Sequence, residues 1–218
     1  AEGGALNVAR RDGLGTIVLA CAEKMGCVPD EYFQAVGSGT GAIAAWETSV
    51  RLMQSGLLPG GPMRLHVAQN IPFAPIHNAW LHQSRDMADL PRCEDPCSQP
   101  YAGVLLNRKP SYGIVGGLYD ALRATNGHVY GVGNEEAVAA AKLMEETERI
   151  DIDPAAAVAV ACLVRCVAEG KVSRKAMIML NVTGGGFNRL RRDVRLWSIR
   201  PQIVRNAADV ENLYSCLL

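Results

Sequence analysis

The segment Tyr32–Gly41, YFQAVGSGTG, constrains the fold most. Strand-forming residues, Tyr32–Val36, run directly into a loop with glycine at 37, 39 and 41. A helix-forming stretch, Ala42–Gln54, follows and closes at Gly56. Arg64–Gln69, RLHVAQ, then alternates as a strand. Strand, glycine loop, helix and strand make the rhythm of a parallel sheet with crossover helices. Before the first strand, Leu14, Ile17, Val18, Cys21 and Met25 lie near helical spacing. This predicts a helix over Gly13–Gly26, with Ala1–Asp12 as a loop.

The remainder continues the alternation. Ile71–Asp86 opens on prolines and then reads as a helix, HNAWLHQSRDM, from His77. Met87–Ser111 is expected to be a long loop. Val115–Thr125 predicts a helix and His128–Val132 a strand. Asn134 is the expected cap of a helix reaching Glu148, with Glu135 and Glu136 in its first turn. Asp153 caps the next helix, Pro154 takes its first position and Gly170 ends it. Its body, AAAVAVACLVRCVA, is apolar on nearly every face and predicts a buried helix. Ala176–Val182, AMIMLNV, reads as a central strand buried on both faces. The expected fold is α/β, a three-layer α/β/α arrangement on a mostly parallel sheet. Residues 1–190 are expected in that domain and 191–218 as an extension.

Composition narrows the function classes. Lys+Arg and Asp+Glu are both 22 in 218 residues, so the net charge is zero. This argues against nucleic acid as partner and against a polybasic membrane anchor. No apolar run reaches the roughly 18 residues of a membrane span. The first residues show no secretory leader, and the seven scattered cysteines suit a reducing compartment, so a cytoplasmic location is expected. The opening AEGGALNVARRDG, without Met, reads as the interior of a longer protein.

Glycines after a strand let the backbone approach an anion, and the following helix offers free N–H groups. Gly37, Ser38, Gly39, Thr40 and Gly41 are therefore candidate phosphate ligands, with a plain tight turn as the alternative. Dinucleotide and adenosylmethionine sites use similar loops but want an acid at the end of the next strand. Here that strand ends in Gln69 and Asn70. A phosphate-bearing cofactor without ribose fits better. A second cluster, LNVTGGG, closes the Ala176–Val182 strand and offers the Thr183 hydroxyl. Ligands in open α/β sheets sit outside the carboxyl ends of strands, so the two loops can line one site.

The order of NVARRDGLGT, PDEYFQAVGSGTG, RLHVAQ, SYGIVGGLYDALRATNG, DIDPAAAVAVA and LNVTGGG resembles pyridoxal-phosphate enzymes of the tryptophan-synthase β-subunit type. Within them it is similar to threonine synthase and, more closely, to cysteate synthase. Threonine synthases usually carry a GNxGN loop and an LTGHGLKD-like motif, where this chain has GSGTG and NVTGGG. The resemblance implies a tryptophan synthase β-subunit-like fold, here incomplete, and pyridoxal 5'-phosphate as cofactor. It implies that Gly37, Ser38, Gly39, Thr40 and Gly41 hold the cofactor phosphate and that Thr183 bonds the pyridine nitrogen. Arg10 falls where threonine synthases hold the substrate phosphate. The implied reaction converts O-phospho-L-serine and sulfite to L-cysteate and phosphate, a step toward coenzyme M in a methanogenic archaeon. A homo-oligomer is implied for the full-length enzyme. The family's Schiff-base lysine is expected upstream of Ala1, so no catalytic residue is expected in this chain, and the chain alone is expected to be inactive. Lys24, Lys109, Lys142, Lys171 and Lys175 do not replace it. Threonine synthase is one alternative; a non-catalytic anion- or nucleotide-binding module is another.

Other residues suit structural roles. Cys93 and Cys97, in CEDPC, lack a second pair at metal-ligand spacing, and no metal site is expected. Cys162 and Cys166 are expected in the core, as are Trp46 and Trp80. His66, His77, His82 and His128 are read as structural. The basic run Arg189–Arg195 reads as a solvated surface or an interface.

Overall fold

The computed structural model describes residues 4–87, 99–195 and 197. Four strands, β1 (Glu31–Ala35), β2 (Arg64–Asn70), β3 (His128–Val132) and β4 (Ile178–Leu180), form one sheet in the order β3-β2-β1-β4. Every ladder is parallel, with Phe33 opposite both His66 and Leu180, and Ala68 opposite Tyr130. Side chains alternate across a strand. Tyr32, Leu65, Val67, Val129 and Met179 therefore face one layer, and Phe33, Ala35, Ala68, Tyr130 and Val132 the other.

The first layer contains α1 (Val8–Met25), α2 (Thr40–Ser55), α3 (Pro75–Leu81) and α4 (Leu118–Ala124), which bring Val18, Ile43, Ile76, Leu118 and Leu122 to the sheet. The second contains α5 (Asn134–Glu148) and α6 (Pro154–Ala168), bringing Ala137, Ala157, Val158, Ala161 and Cys162. Each fully buried leucine, such as Leu65 or Leu118, contributes roughly 1.5–3 kcal/mol. This is the expected three-layer α/β/α fold on a parallel sheet. The chain divides into two compact units, Ala1–Phe187 and Asn188–Leu218. In the described part of the second, α7 (Phe187–Asp193) carries an Arg189–Asp193 ion pair at 3.6 Å.

Several boundaries differ from expectation. Helix α1 starts at Val8, not Gly13, because the Asn7 side chain accepts the Arg10 N–H at 3.1 Å and caps it. Arg10 and Arg11 are thus helical rather than in a loop. Helix α3 runs from Pro75, not His77, and ends at Leu81. Helix α4 starts at Leu118 because Ile114–Gly117 forms a turn closed by the Gly117 N–H on the Ile114 carbonyl at 2.8 Å. Asn134 is not the cap of α5: Gly133 takes that place, and Glu136 accepts its N–H at 2.8 Å. Asp153 caps α6 as expected, accepting from the Ala156 N–H at 2.7 Å. Val164 and Val167 on α6 are exposed, so its burial is confined to one side and the first turns. The larger correction concerns β4. Among the described residues it pairs with β1 alone and ends the sheet, with Ile178 exposed and Leu180 half-buried, where a strand flanked on both sides was expected. An apolar run reports affinity for a core but not the number of neighbouring strands. Cys93 and Cys97 lie outside the described residues.

A buried polar cluster occupies the amino end of the sheet. Glu31 bonds His66 Nε2 at 2.7 Å and Arg64 at 3.0 Å, while His66 Nδ1 meets the Tyr130 hydroxyl at 3.3 Å. Phe33 stacks on the imidazole with centroids 4.4 Å apart. Cys162 and Cys166 are core residues, as expected, and they extend this cluster. The Cys166 thiol is pulled down to about 5 by the Cys162 S–H, then by His66 and Tyr130, against the upward push of burial. Burial and the neighbouring Cys166 push Cys162 up. A thiol lowered in the folded state contributes stability that is complete above the unfolded thiol range, about 9, and is lost as pH falls through about 5. Urea unfolding of the wild type and Cys166→Ser should therefore differ in slope between pH 9 and pH 5, with the wild type losing more stability on acidification.

Candidate active site at the carboxyl edge of the sheet

The glycine loop leaves β1 and enters α2. Gly39 has φ of +81°, which a side chain rarely adopts, and a Cβ there would also stand 2.8 Å from Leu118 Cδ2. Thr40 is buried; its hydroxyl meets Ser38 Oγ at 3.0 Å, and its N–H points to the same oxygen at 3.3 Å. The α2 ladder opens with the Ile43 N–H on the Gly39 carbonyl at 3.0 Å. The N–H groups of Gly39, Gly41 and Ala42 precede that bond and stand at the helix mouth, where the dipole favours an anion.

The structure brings Arg10, Gly37 and Ser38 together. With Val104, Leu106 and Asn107 they line a cavity of about 370 Å³. Arg11 is committed elsewhere: its Nε bonds Glu47 at 2.9 Å and its guanidinium also donates to the Ala5 carbonyl. Of the arginine pair, Arg10 alone lines the cavity.

Thr183 follows β4, one strand over from the glycine loop at the same edge of the sheet, and is exposed. It does not line the Arg10 cavity. The TGGG turn is held by close backbone approach to the start of α6. The Asp153 N–H bonds the Gly184 carbonyl at 3.0 Å, and the Gly186 N–H bonds the Asp151 carbonyl at 2.8 Å. A Cβ at 184 or 185 would collide with Asp153 or with the Asp151 carbonyl.

Sequence reasoning missed a clamp of amides. Buried Asn70 accepts the Ala102 N–H at 2.7 Å and donates to the Val132 carbonyl at 2.9 Å and to Asn134 Oδ1 at 3.0 Å. Asn134 Oδ1 also accepts the Tyr101 N–H at 2.9 Å. Gln69 accepts the Ile76 and His77 N–H groups at 2.7 and 3.2 Å, capping α3. The clamp holds the 3₁₀ turn Gly103–Leu105 over Gly37, where the Leu105 carbonyl would stand 3.2 Å from a Cβ. The available signal was the pair of uncharged amides ending an otherwise buried strand. A larger cavity, about 490 Å³, lies by Trp80, Tyr119, Arg123 and His128, at the start of β3 and so at the amino edge. Among the described residues no cluster of His, Cys, Asp and Glu could hold a metal ion, and no helix is long and apolar enough to cross a membrane.

Comparison with known proteins decides the family. The family model of pyridoxal-phosphate dependent enzymes matches residues 2–184. The chain belongs to the pyridoxal-phosphate dependent enzymes. It is 49% identical over 212 residues to a cysteate synthase of Methanocella arvoryzae, covering 96% of this chain and 51% of the relative. It is 50% identical over 208 residues to a cysteate synthase of Methanoregula boonei, covering 94% and 49%. The chain thus spans about half the length of the curated relatives it matches. A fungal L-serine ammonia-lyase from Rhizomucor miehei shares the fold at TM-score 0.62 and 14% identity, over 85% of this chain and 56% of that one. Serine racemase from Dictyostelium discoideum does so at 0.60 and 17%, over 82% and 51%. The residues present fit this family's cofactor: Gly37, Ser38 and Arg10 line one cavity beside the mouth of α2, and among the described residues nothing acidic lines it.

Removing the clamp should loosen the turn over Gly37. Asn70→Ala is expected to cost about 1–3 kcal/mol, because it leaves the buried Ala102 N–H unpaired. Urea unfolding measures the cost, and amide hydrogen exchange at Ala102 should quicken.

Proposed function

We propose that the full-length protein binds pyridoxal phosphate at this edge and converts O-phospho-L-serine and sulfite to L-cysteate and phosphate. The observation that carries the reading is the 49% and 50% identity to proteins named cysteate synthase, spread over nearly all of the chain. The shared cavity of Arg10 with Gly37 and Ser38 supports it from the geometry.

The Gly37–Gly41 backbone, with Ser38 and Thr40, holds the cofactor phosphate. Thr183 offers its hydroxyl to the pyridine nitrogen. When bound, the cofactor withdraws electron density from the substrate α-carbon. A threonine hydroxyl can share a hydrogen bond with the ring nitrogen but is too weak an acid to protonate it. Thr183 would thereby leave the ring nitrogen unprotonated and the electron withdrawal moderate, which suits exchange at the substrate β-carbon, where the C–O bond to phosphate would break as the C–S bond to sulfite forms. Arg10 holds the substrate phosphate by charge-assisted hydrogen bonds. The protein acts as a cytoplasmic homo-oligomer in this reading.

The lysine that binds the cofactor covalently lies outside these 218 residues. Lys24 closes α1, Lys142 lies on α5, and Lys171 sits over the Tyr130 ring at 5.3 Å, at the amino end of the sheet. Lys109 follows the cavity residue Asn107 but is exposed and does not line the cavity. Borohydride reduction of the full-length protein with pyridoxal phosphate, followed by peptide mapping, should leave Lys24, Lys109, Lys142, Lys171 and Lys175 unlabelled. Specific labelling of any of them contradicts the assignment.

Phosphate release by the full-length protein tests the reaction. Turnover of O-phosphoserine should require sulfite and yield cysteate, and Arg10→Ala should raise KM for phosphoserine at least about tenfold. Turnover of O-phosphohomoserine without sulfite would instead make it a threonine synthase.

A further inference from the structure

Beneath the two loops runs a chain of side chains that neither the family's cofactor contacts nor the amide clamp includes. Tyr32, on β1, is fully buried. Its hydroxyl donates to Gln34 Oε1 at 3.0 Å and accepts from Asn181 Nδ2 at 3.0 Å. Burial pushes the phenol up, against a smaller downward pull from Asn181, so the hydroxyl keeps its proton and remains a donor. Asn181 also prolongs the β1–β4 ladder, its N–H bonding the Phe33 carbonyl at 2.9 Å, and it stands two residues before Thr183. At the other end, the bond from Tyr32 orients the Gln34 amide. Its Nε2 lies 2.5 Å from where a Cβ on Gly41 would be, so the amide rests directly against the last residue of the glycine loop.

We propose that Tyr32 is a positioning residue of the cofactor site, tying the turn that carries Thr183 to the glycine loop through Asn181 on one side and Gln34 on the other. The proposal rests on the cofactor reading above and deepens it. A rigid ligand held at one end by the loop and at the other by Thr183 binds well only if the two ends keep a fixed separation, to within about half an ångström. Strand pairing alone fixes the backbones of β1 and β4. The Asn181–Tyr32–Gln34 chain fixes the loops beyond the strand ends. A buried phenylalanine would fill the same space without this connection. A phenol satisfied on both sides costs less than one left unpaired and makes a specific link.

The test uses the full-length protein and its affinity for pyridoxal phosphate and for pyridoxal, which lacks the phosphate. In the wild type, pyridoxal phosphate should bind more tightly than pyridoxal, and Thr183→Ala should weaken both. If neither holds, the cofactor reading itself falls, and the proposal with it. If both hold, a double-mutant cycle of Tyr32→Phe and Thr183→Ala decides the proposal. The two losses should be non-additive by about fivefold or more, because a turn already out of place gains little from Thr183. Additivity within about twofold overturns the link and leaves Tyr32 a packing residue. Gln34→Glu provides a second arm should Tyr32→Phe fail to fold. It keeps the acceptor for Tyr32 and the size of the side chain but sets a carboxylate against Gly41. The preference for pyridoxal phosphate over pyridoxal should fall about fivefold or more. An unchanged preference in a folded Gln34→Glu protein overturns the placement of this chain against the phosphate loop.

Discussion

Parallel pairing of β1 with β2 on one side and β4 on the other is the constraint on which the rest of the structure depends. The glycine loop leaves β1 and the Thr183 turn leaves β4, so the register Phe33↔Leu180 sets where each loop stands along the carboxyl edge of the sheet. A slip of one residue would turn every β4 side chain to the opposite face. It would withdraw Met179 from the core and Asn181 from Tyr32. The three-pair ladder is short, and the close approach of Gly184 and Gly186 to Asp151 and Asp153 supports it from beyond the strand end.

The two ends of the sheet differ in kind. The amino end buries charge-bearing groups, with Glu31 between Arg64 and His66, and Cys166 close by. The carboxyl end is furnished with neutral amides: Gln34, Gln69, Asn70, Asn134 and Asn181. Gln69, Asn70 and Asn134 bond backbone N–H and C=O groups there, and Gln34 and Asn181 bond the Tyr32 hydroxyl, all without placing a negative charge near the helix mouth. A buried carboxylate there would repel a phosphate across a poorly screened medium. The absence of an acid after β2, which argued against ribose-bearing ligands in the sequence, has a structural counterpart: Gln69 caps α3 and Asn70 holds Ala102.

Much of this architecture was legible because local signals agreed. The β1 strand, the Gly56 stop, the β3 strand and the Asp153–Pro154 start of α6 are each set by short-range chemistry, and each stands where expected. The errors share a cause: they depend on partners that apolar spacing does not reveal. Asn7 initiates α1 earlier than the apolar spacing suggested, and Glu136 transfers the α5 cap to Gly133 while Asn134 is drawn to Asn70. Which strands flank β4 among the described residues is a property of the sheet, not of AMIMLNV. The loops at the carboxyl edge were visible as glycine clusters. The amides that position them were not, because an Asn or Gln in a strand gives no sign of which backbone it will serve.

The central claim is that the loop from Gly37 to Gly41 holds the phosphate of pyridoxal phosphate, with Thr183 at the far end of the ring. A crystal structure of the full-length protein with its cofactor tests this most directly. The account predicts phosphate oxygens within about 3.2 Å of loop N–H groups between Gly37 and Ala42, and the Thr183 hydroxyl at similar distance from the pyridine nitrogen. A cofactor whose phosphate lies away from this loop, or whose ring nitrogen faces a carboxylate instead of Thr183, would contradict it.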